Sequence, residues 1–205
     1  MDTDFFFRGL IIGFSIAAPV GPVGVLCIRR TLAKGRASGL VSGLGAATAD
    51  AIYGFVAGFG LTFVSNLLIR QQVWLRVVGS GFLCIIGLRT FLSQPAECAA
   101  STGRRGLVSS FASTFFLTIT NPMTILSFAA IFAGLGVGGV SVSYISAAVL
   151  VLGVFVGSAL WWSILSGGIS ILRARFNPQR LKWVNRISGI VVIGFGLIVL
   201  LSLSG

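Results

Sequence analysis

Four acidic residues occur in the 205-residue chain, and only one lies inside an apolar run. Asp2 and Asp4 are terminal, Glu97 stands in a polar stretch, and Asp50 follows Gly39 by 11 residues, about 16 Å of helix. That places Asp50 near the middle of a hydrocarbon core about 30 Å thick. An ionised aspartate at that depth costs about 2.5–3.5 kcal/mol on insertion scales; such residues face the bundle interior and mark substrate, ion or proton paths. Its neighbours Thr48 and Tyr53 carry hydroxyls on adjoining faces. No Lys or Arg is expected at the same depth. Three states are therefore open to Asp50. It holds a proton, holds a cationic group of a substrate, or alternates between the two, which would couple transport to protons. The structural alternative is a protonated carboxyl that only hydrogen-bonds between helices.

Two motifs break apolar runs. Pro19-Val20-Gly21-Pro22 interrupts the first, 14 residues after Phe5, and Asn121-Pro122 interrupts the fourth, with Pro122 15 residues after Leu107. Proline has no backbone N–H and its ring clashes with the preceding turn. Inside lipid the carbonyls so freed need partners, so a broken helix is tolerated where it faces protein or a wet cavity. One break would read as an ordinary kink. Two at nearly equal depth are the sequence mark of a transporter's binding site. Pro19, Gly21, Pro22, Asn121 and Pro122 thus join Asp50, Thr48 and Tyr53 as candidates for substrate binding or translocation.

The elements that must carry these residues are six apolar segments: Phe5–Ile28, Gly39–Leu68, Val73–Leu92, Leu107–Leu135, Val142–Leu172 and Val184–Leu203. Hydrophobic residues make up 56% of the chain and charged residues 9%, against about 25% charged in a soluble domain. The mean hydropathy is +1.02. The expected fold is an all-α integral membrane protein of six transmembrane helices, with helices 1 and 4 broken at the Pro motifs. Residues 1–205 form one transmembrane domain without a separate soluble unit. Three spans make each half, 1–92 and 107–205, joined by a basic linker, 93–106. An odd number of spans reverses the direction of insertion, so similar halves form a 3+3 inverted repeat. The second helix of each half carries small residues, Gly39, Gly43 and Gly45 in one and Gly153, Gly157 and Ser158 in the other. The pairs Gly54/Gly58 and Gly153/Gly157 have the spacing of close helix contacts, within a protomer or between protomers of a homo-oligomer.

The formal charge is +11. In a soluble chain such a balance suggests nucleic acid; here the basic residues sit between apolar runs. Arg29, Arg30, Lys34 and Arg36 fall between spans 1 and 2, Arg89, Arg104 and Arg105 around the 3–4 connection, and Arg173, Arg175, Arg180, Lys182 and Arg186 between spans 5 and 6. The other side holds only Arg8, Arg70 and Arg76. Positive loops stay in the cytoplasm, so both termini are expected in the periplasm. The first segment lacks a basic leader and an A-x-A site, and is expected to remain as the first span. Trp74 and Trp183 fall at expected lipid interfaces, and Trp161 with Trp162 reads as part of an aromatic belt.

The run Ala18-Pro19-Val20-Gly21-Pro22, then Gly35-Arg36-Ala37-Ser38-Gly39-Leu40, then Gly43 to Asp50, resembles the first half of the LysE/RhtB family of amino-acid exporters. Asn121-Pro122 is similar to that family's second motif. The resemblance spans the whole chain. It implies export of amino acids or similar small solutes across the bacterial inner membrane, exchange against protons, and a three-plus-three inverted repeat. Two departures stand out: Pro-Val-Gly-Pro replaces the commoner Pro-Gly-Pro, and Met123 stands where a lysine is common. The second bears on which substrate is taken.

The residue inventory argues against the rivals. Membrane-embedded hydrolysis needs Ser with His, paired acids or a metal cluster, and the chain has no His and one buried Asp. No metal or other cofactor is expected, and the chain is not read as an enzyme. A thiol-redox carrier would need cysteines in spans 1 and 4; Cys27, Cys84 and Cys98 do not fit that placement. Export of heavy-metal or other small cations stays open through Asp50 and the span cysteines. The favoured partners are an amino acid, protons and membrane lipid.

Overall fold

The computed structural model describes residues 2–19, 21–59, 71–93, 104–121, 124–125, 127–128, 143–172 and 178–201. Val20, Pro122, Met123, Glu97 and Cys98 lie outside the described residues, as do the ends of the second and fourth apolar segments.

Among the described residues the structure is helical: α1 Asp2–Ala17, α2 Pro22–Lys34, α3 Arg36–Gly58, α4 Gln72–Leu92, α5 Arg104–Ile119, α6 Tyr144–Leu172 and α7 Pro178–Leu201. Arg36–Val56, Tyr144–Leu172 and Gln179–Leu201 are each long and apolar enough to cross a membrane, and α1 with α2 passes as one bent pair. Val77–Leu92 and Gly106–Ile119 are shorter apolar helices. The chain is a multi-pass helical membrane protein.

The distribution of side chains follows the solvent. Large aliphatic and aromatic residues point outward: Ile11, Val78, Ile85, Leu152, Ile164 and Ile198 are all more than half exposed. The interior holds many small and hydroxylated residues, Ser42, Ala47, Ala49, Thr114 and Ser158 among them. Lipid tails are as apolar as leucine, so burying leucine gains little there; close packing and interhelical hydrogen bonds hold such a bundle. Trp74 and Trp183 are exposed, as an interfacial ring requires.

Glycines set the closest approaches. On α1, a Cβ at Gly9 would strike the Leu150 carbonyl and one at Gly13 the Val154 carbonyl. On α6, Gly153 and Gly157 meet the carbonyls of Phe6 and Leu10 in return. The α1–α6 crossing is thus a reciprocal pair of small-xxx-small faces. Gly45 brings α3 onto the backbone of α5 at Phe111, and Gly43 brings α3 against the Trp162 side chain. Gly87 and Gly189 face each other's carbonyls where α4 meets α7.

Two sequence boundaries shift. The first apolar run was expected to end at Ile28, with Arg29 and Arg30 in a basic loop; instead α2 continues to Lys34 and both arginines are buried. Only Gly35, at φ 98°, separates α2 from α3. The last helix begins at Pro178 rather than Val184. A helix does not stop where hydrophobicity stops, and proline at its start forfeits only an N–H that had no partner.

Candidate functional site

The site is built around the gap between α1 and α2. Helix α1 ends at Ala17, with the Ala18 amide closing its last turn on Phe14, and Pro22 opens α2. Gly21 is the N-cap and offers no side chain to the first turn. The first intrahelical bond runs from the Val25 amide to the Gly21 carbonyl at 3.1 Å. By helix geometry the amides of Val23 and Gly24 precede it and have no acceptor of their own. They carry the partial positive end of the helix dipole.

A second helix end lies opposite. Helix α5 stops at Ile119, and the Asn121 amide bonds to Thr118 in a tight turn of 3.1 Å. The amides of Thr124 and Ile125 then both bond to the Asn121 carbonyl. Proline at 122 has no N–H to continue the α-helical ladder. The Ile119 carbonyl, at the end of α5, accepts a hydrogen bond from the Tyr53 hydroxyl of α3.

Between these ends lies a half-open cavity of about 60 Å³, room for a few water molecules. Pro19, Gly21, Pro22, Val23 and Gly24 line one wall and Asp50 another, with Thr118, Asn121, Thr124 and Trp162 on the far side and Ile16, Ala17 and Ala46 filling the remainder. Gly21 faces open space, with no atom within 4 Å of a Cβ placed there. Asp50 is 3% exposed. Its Oδ2 accepts a hydrogen bond from Ser158 Oγ at 2.7 Å, and Ser158 Oγ accepts one from Trp162 Nε1 at 3.2 Å. Among the described residues the one ion pair is Arg8–Asp4, so Asp50 has no cation beside it. The cavity therefore sets a buried carboxyl against the positive end of a helix, which are complementary to an ammonium and a carboxylate respectively.

Of the residues singled out in the sequence, the structure brings Asp50, Pro19, Gly21, Pro22 and Asn121 together around this cavity. Pro122 lies outside the described residues. Thr48 points elsewhere: its hydroxyl bonds back to the Leu44 carbonyl at 2.7 Å, and it does not line the cavity. Tyr53 is buried beyond the cavity, against the Phe128 ring at 5.5 Å, where it caps the end of α5. Neither hydroxyl hydrogen-bonds to the Asp50 carboxyl.

Three contributors went unassigned by sequence reasoning. Ser158 read as a packing residue, and Trp162 as part of an interfacial belt; Trp162 is instead 4% exposed and in the core. Its neighbour Trp161 stacks edge-on with Phe14 at 5.3 Å. The available signal was a hydroxyl and an indole four apart in an apolar helix, which share one face. Thr118 carried a similar signal, one turn before Asn121.

Comparison with known proteins places the chain in a family. The LysE type translocator family matches residues 14–203. A protein of Bacillus subtilis (strain 168) described as "Putative amino acid efflux protein YcgF" is 27% identical over 198 residues, covering 94% of this chain and 93% of its own. No solved structure matches the chain.

Proposed function

The chain belongs to the LysE type translocator family, and from that premise we propose that it is a secondary active exporter of amino acids or closely related small zwitterions across the bacterial inner membrane, working by proton antiport. One observation carries the reading. The α1–α2 gap, the α5 end and the buried Asp50 line a single cavity. A zwitterion offers a carboxylate to the Val23 and Gly24 amides and an ammonium to Asp50. A proton on Asp50 would replace the ammonium when the site returns empty, which is how one carboxyl serves both partners in exchange.

The same reading takes residues 1–92 and 107–205 as halves inserted in opposite senses. Helix pairing supports it. Helix α1 packs on α6, α5 packs on α3, α3 packs on α6 and α4 packs on α7. Exchanging the halves turns the first pairing into the second and leaves the other two unchanged. Gly87 and Gly189 meet each other's carbonyls at the α4–α7 crossing, as two equivalent positions would. In this arrangement the basic ends face the cytoplasm and both termini the periplasm.

The test is efflux from cells loaded with dipeptides, with and without this protein, across a panel covering every side-chain class. Selective loss of one or a few amino acids that depends on the proton gradient is expected. No difference across the panel, with the protein shown to be in the membrane, would overturn the reading and direct the search to small cations.

A further inference from the structure

Helix α2 carries two adjacent arginines into the protein interior, and they part company. Arg29 turns toward α4 and α7, where its Nε donates to Asn185 Oδ1 at 2.9 Å and its Nη1 to Thr90 Oγ1 at 3.2 Å. Arg30 turns toward α3 and α5. Its Nη1 donates to Ser42 Oγ at 2.9 Å, Thr114 Oγ1 at 2.6 Å and the Ser110 carbonyl at 3.0 Å, and its Nη2 donates to Ser113 Oγ at 2.7 Å. Arg30 is 9% exposed.

Every one of those four acceptors is neutral. Ser42, Ser113 and Thr114 each spend their own hydrogen on a backbone carbonyl one turn back, at 2.8, 2.6 and 2.8 Å, and present a lone pair to the guanidinium. No carboxylate among the described residues forms an ion pair with Arg30. A buried cation is costly unless its charge is matched, and hydroxyls satisfy its N–H groups without matching its charge. A guanidinium is a rigid fork fitted to a carboxylate, with which its bonds are shorter and roughly twice as strong.

Arg30 also lies beside rows of buried hydroxyls that lead along α3 and α5 toward residues of the cavity wall. Ser38, Ser42 and Asp50 follow one another along α3 at steps of four and eight residues, and Ser110, Thr114 and Thr118 along α5 at steps of four; Asp50 and Thr118 line the cavity. Residues four apart share a helix face, and all six are buried. The two rows touch at Ser38 and Ser110, whose hydroxyls are 3.3 Å apart. Together they run about 18 Å from Asp50 to the Ser38 end of α3. A third row on α6 continues from Ser158 and Trp162 to Ser166, whose buried Oγ has no hydrogen-bond partner among the described residues. A Cβ on Gly39, beside Ser38, would lie 2.9 Å from that Oγ.

We propose that Arg30 is a second carboxylate-binding site, distinct from the Asp50 cavity, that holds α2 against α3 and α5 and releases it when a substrate carboxylate takes the place of Ser42, Ser113 and Thr114. The role of that release in transport rests on the exporter reading; the anion site does not. Ser42 precedes Asp50 by eight residues, about 12 Å of helix, too far for one α-amino acid to bridge both. The two sites are used in sequence.

The experiment uses the purified full chain in detergent. Thermal unfolding is followed against rising sodium acetate, with acetamide as the uncharged isostere and sodium chloride at matched ionic strength. Acetate is expected to raise the Tm of wild type beyond either control, and Arg30→Gln to abolish the rise. Arg30→Lys keeps the charge but not the fork, and at least a tenfold weaker half-saturation is expected; it also serves should Arg30→Gln fail to fold. An acetate response no larger than that of acetamide, or one unchanged in both variants, overturns the site. In reconstituted vesicles the preference for an exported amino acid over its carboxamide should fall at least tenfold in Arg30→Lys, which a merely structural clamp would not produce. Wild-type vesicles that carry no amino acid would sink the exporter reading and leave the acetate result to decide Arg30.

Discussion

Asp50 and its donors set the chemistry at the scale of single residues. Replacing Asp50 with Asn keeps the shape and removes the exchangeable charge. The variant should insert and fold but lose accumulation driven by an imposed proton gradient. Vesicle flux at the wild-type rate, with the variant correctly inserted, would show that the carboxyl does not couple. Ser158 is the donor that fixes the carboxyl, at 2.7 Å. Ser158→Ala leaves a buried acceptor unsatisfied, at a cost of about 1–3 kcal/mol, and should lower both the Tm and the flux. Trp162→Phe removes the indole N–H together with part of a buried ring, while keeping the Cβ and Cγ that Gly43 meets, so lost packing should add to the lost bond in lowering the Tm.

Among the elements, glycines divide into those that bring helices together and those that border the site. Gly13 and Gly157 sit against opposing backbone carbonyls that cannot move without moving a helix. Gly13→Leu or Gly157→Leu should therefore deplete folded, monodisperse protein, as size-exclusion of detergent extracts would show. Gly21 has open space around it and an ordinary φ of −107°. Gly21→Ala should fold normally and reveal itself in transport kinetics instead. Gly35 is a third case: its φ of 98° joins α2 to α3 in a conformation that side chains rarely adopt, so Gly35→Ala strains the one-residue link.

For the whole molecule the prediction is orientation. With the basic ends in the cytoplasm, a C-terminal alkaline phosphatase fusion should be active and a green fluorescent protein fusion dark; the reverse pair would refute the assignment. The helix pairing also makes a claim about motion. The cavity is half-open and about 60 Å³, with Pro22, Val23 and Gly24 of α2 in its wall, so a bulky amino acid is expected to move α2 away from α3 and α5. The Arg30 bonds span that parting.

Membrane location and helical class were legible in the residues themselves, because hydropathy acts locally. Asp50 was legible for the same reason: a lone acid in an apolar run needs no partner to be noticed. What the chain order could not say is which faces meet. Ser158 and Trp162 join Asp50 only because α6 lies against α3 through Gly43, and 108 residues separate Ser158 from the carboxyl it serves. Thr48 and Tyr53, close to Asp50 in sequence, are carried to other partners by the turn of the helix. Arg29 and Arg30 read as loop charges that set topology; only the packed hydroxyls of α3, α4 and α5 show that they are interior. Local chemistry decides what a segment is, whereas contacts across 60 to 150 residues decide what a buried polar group has beside it.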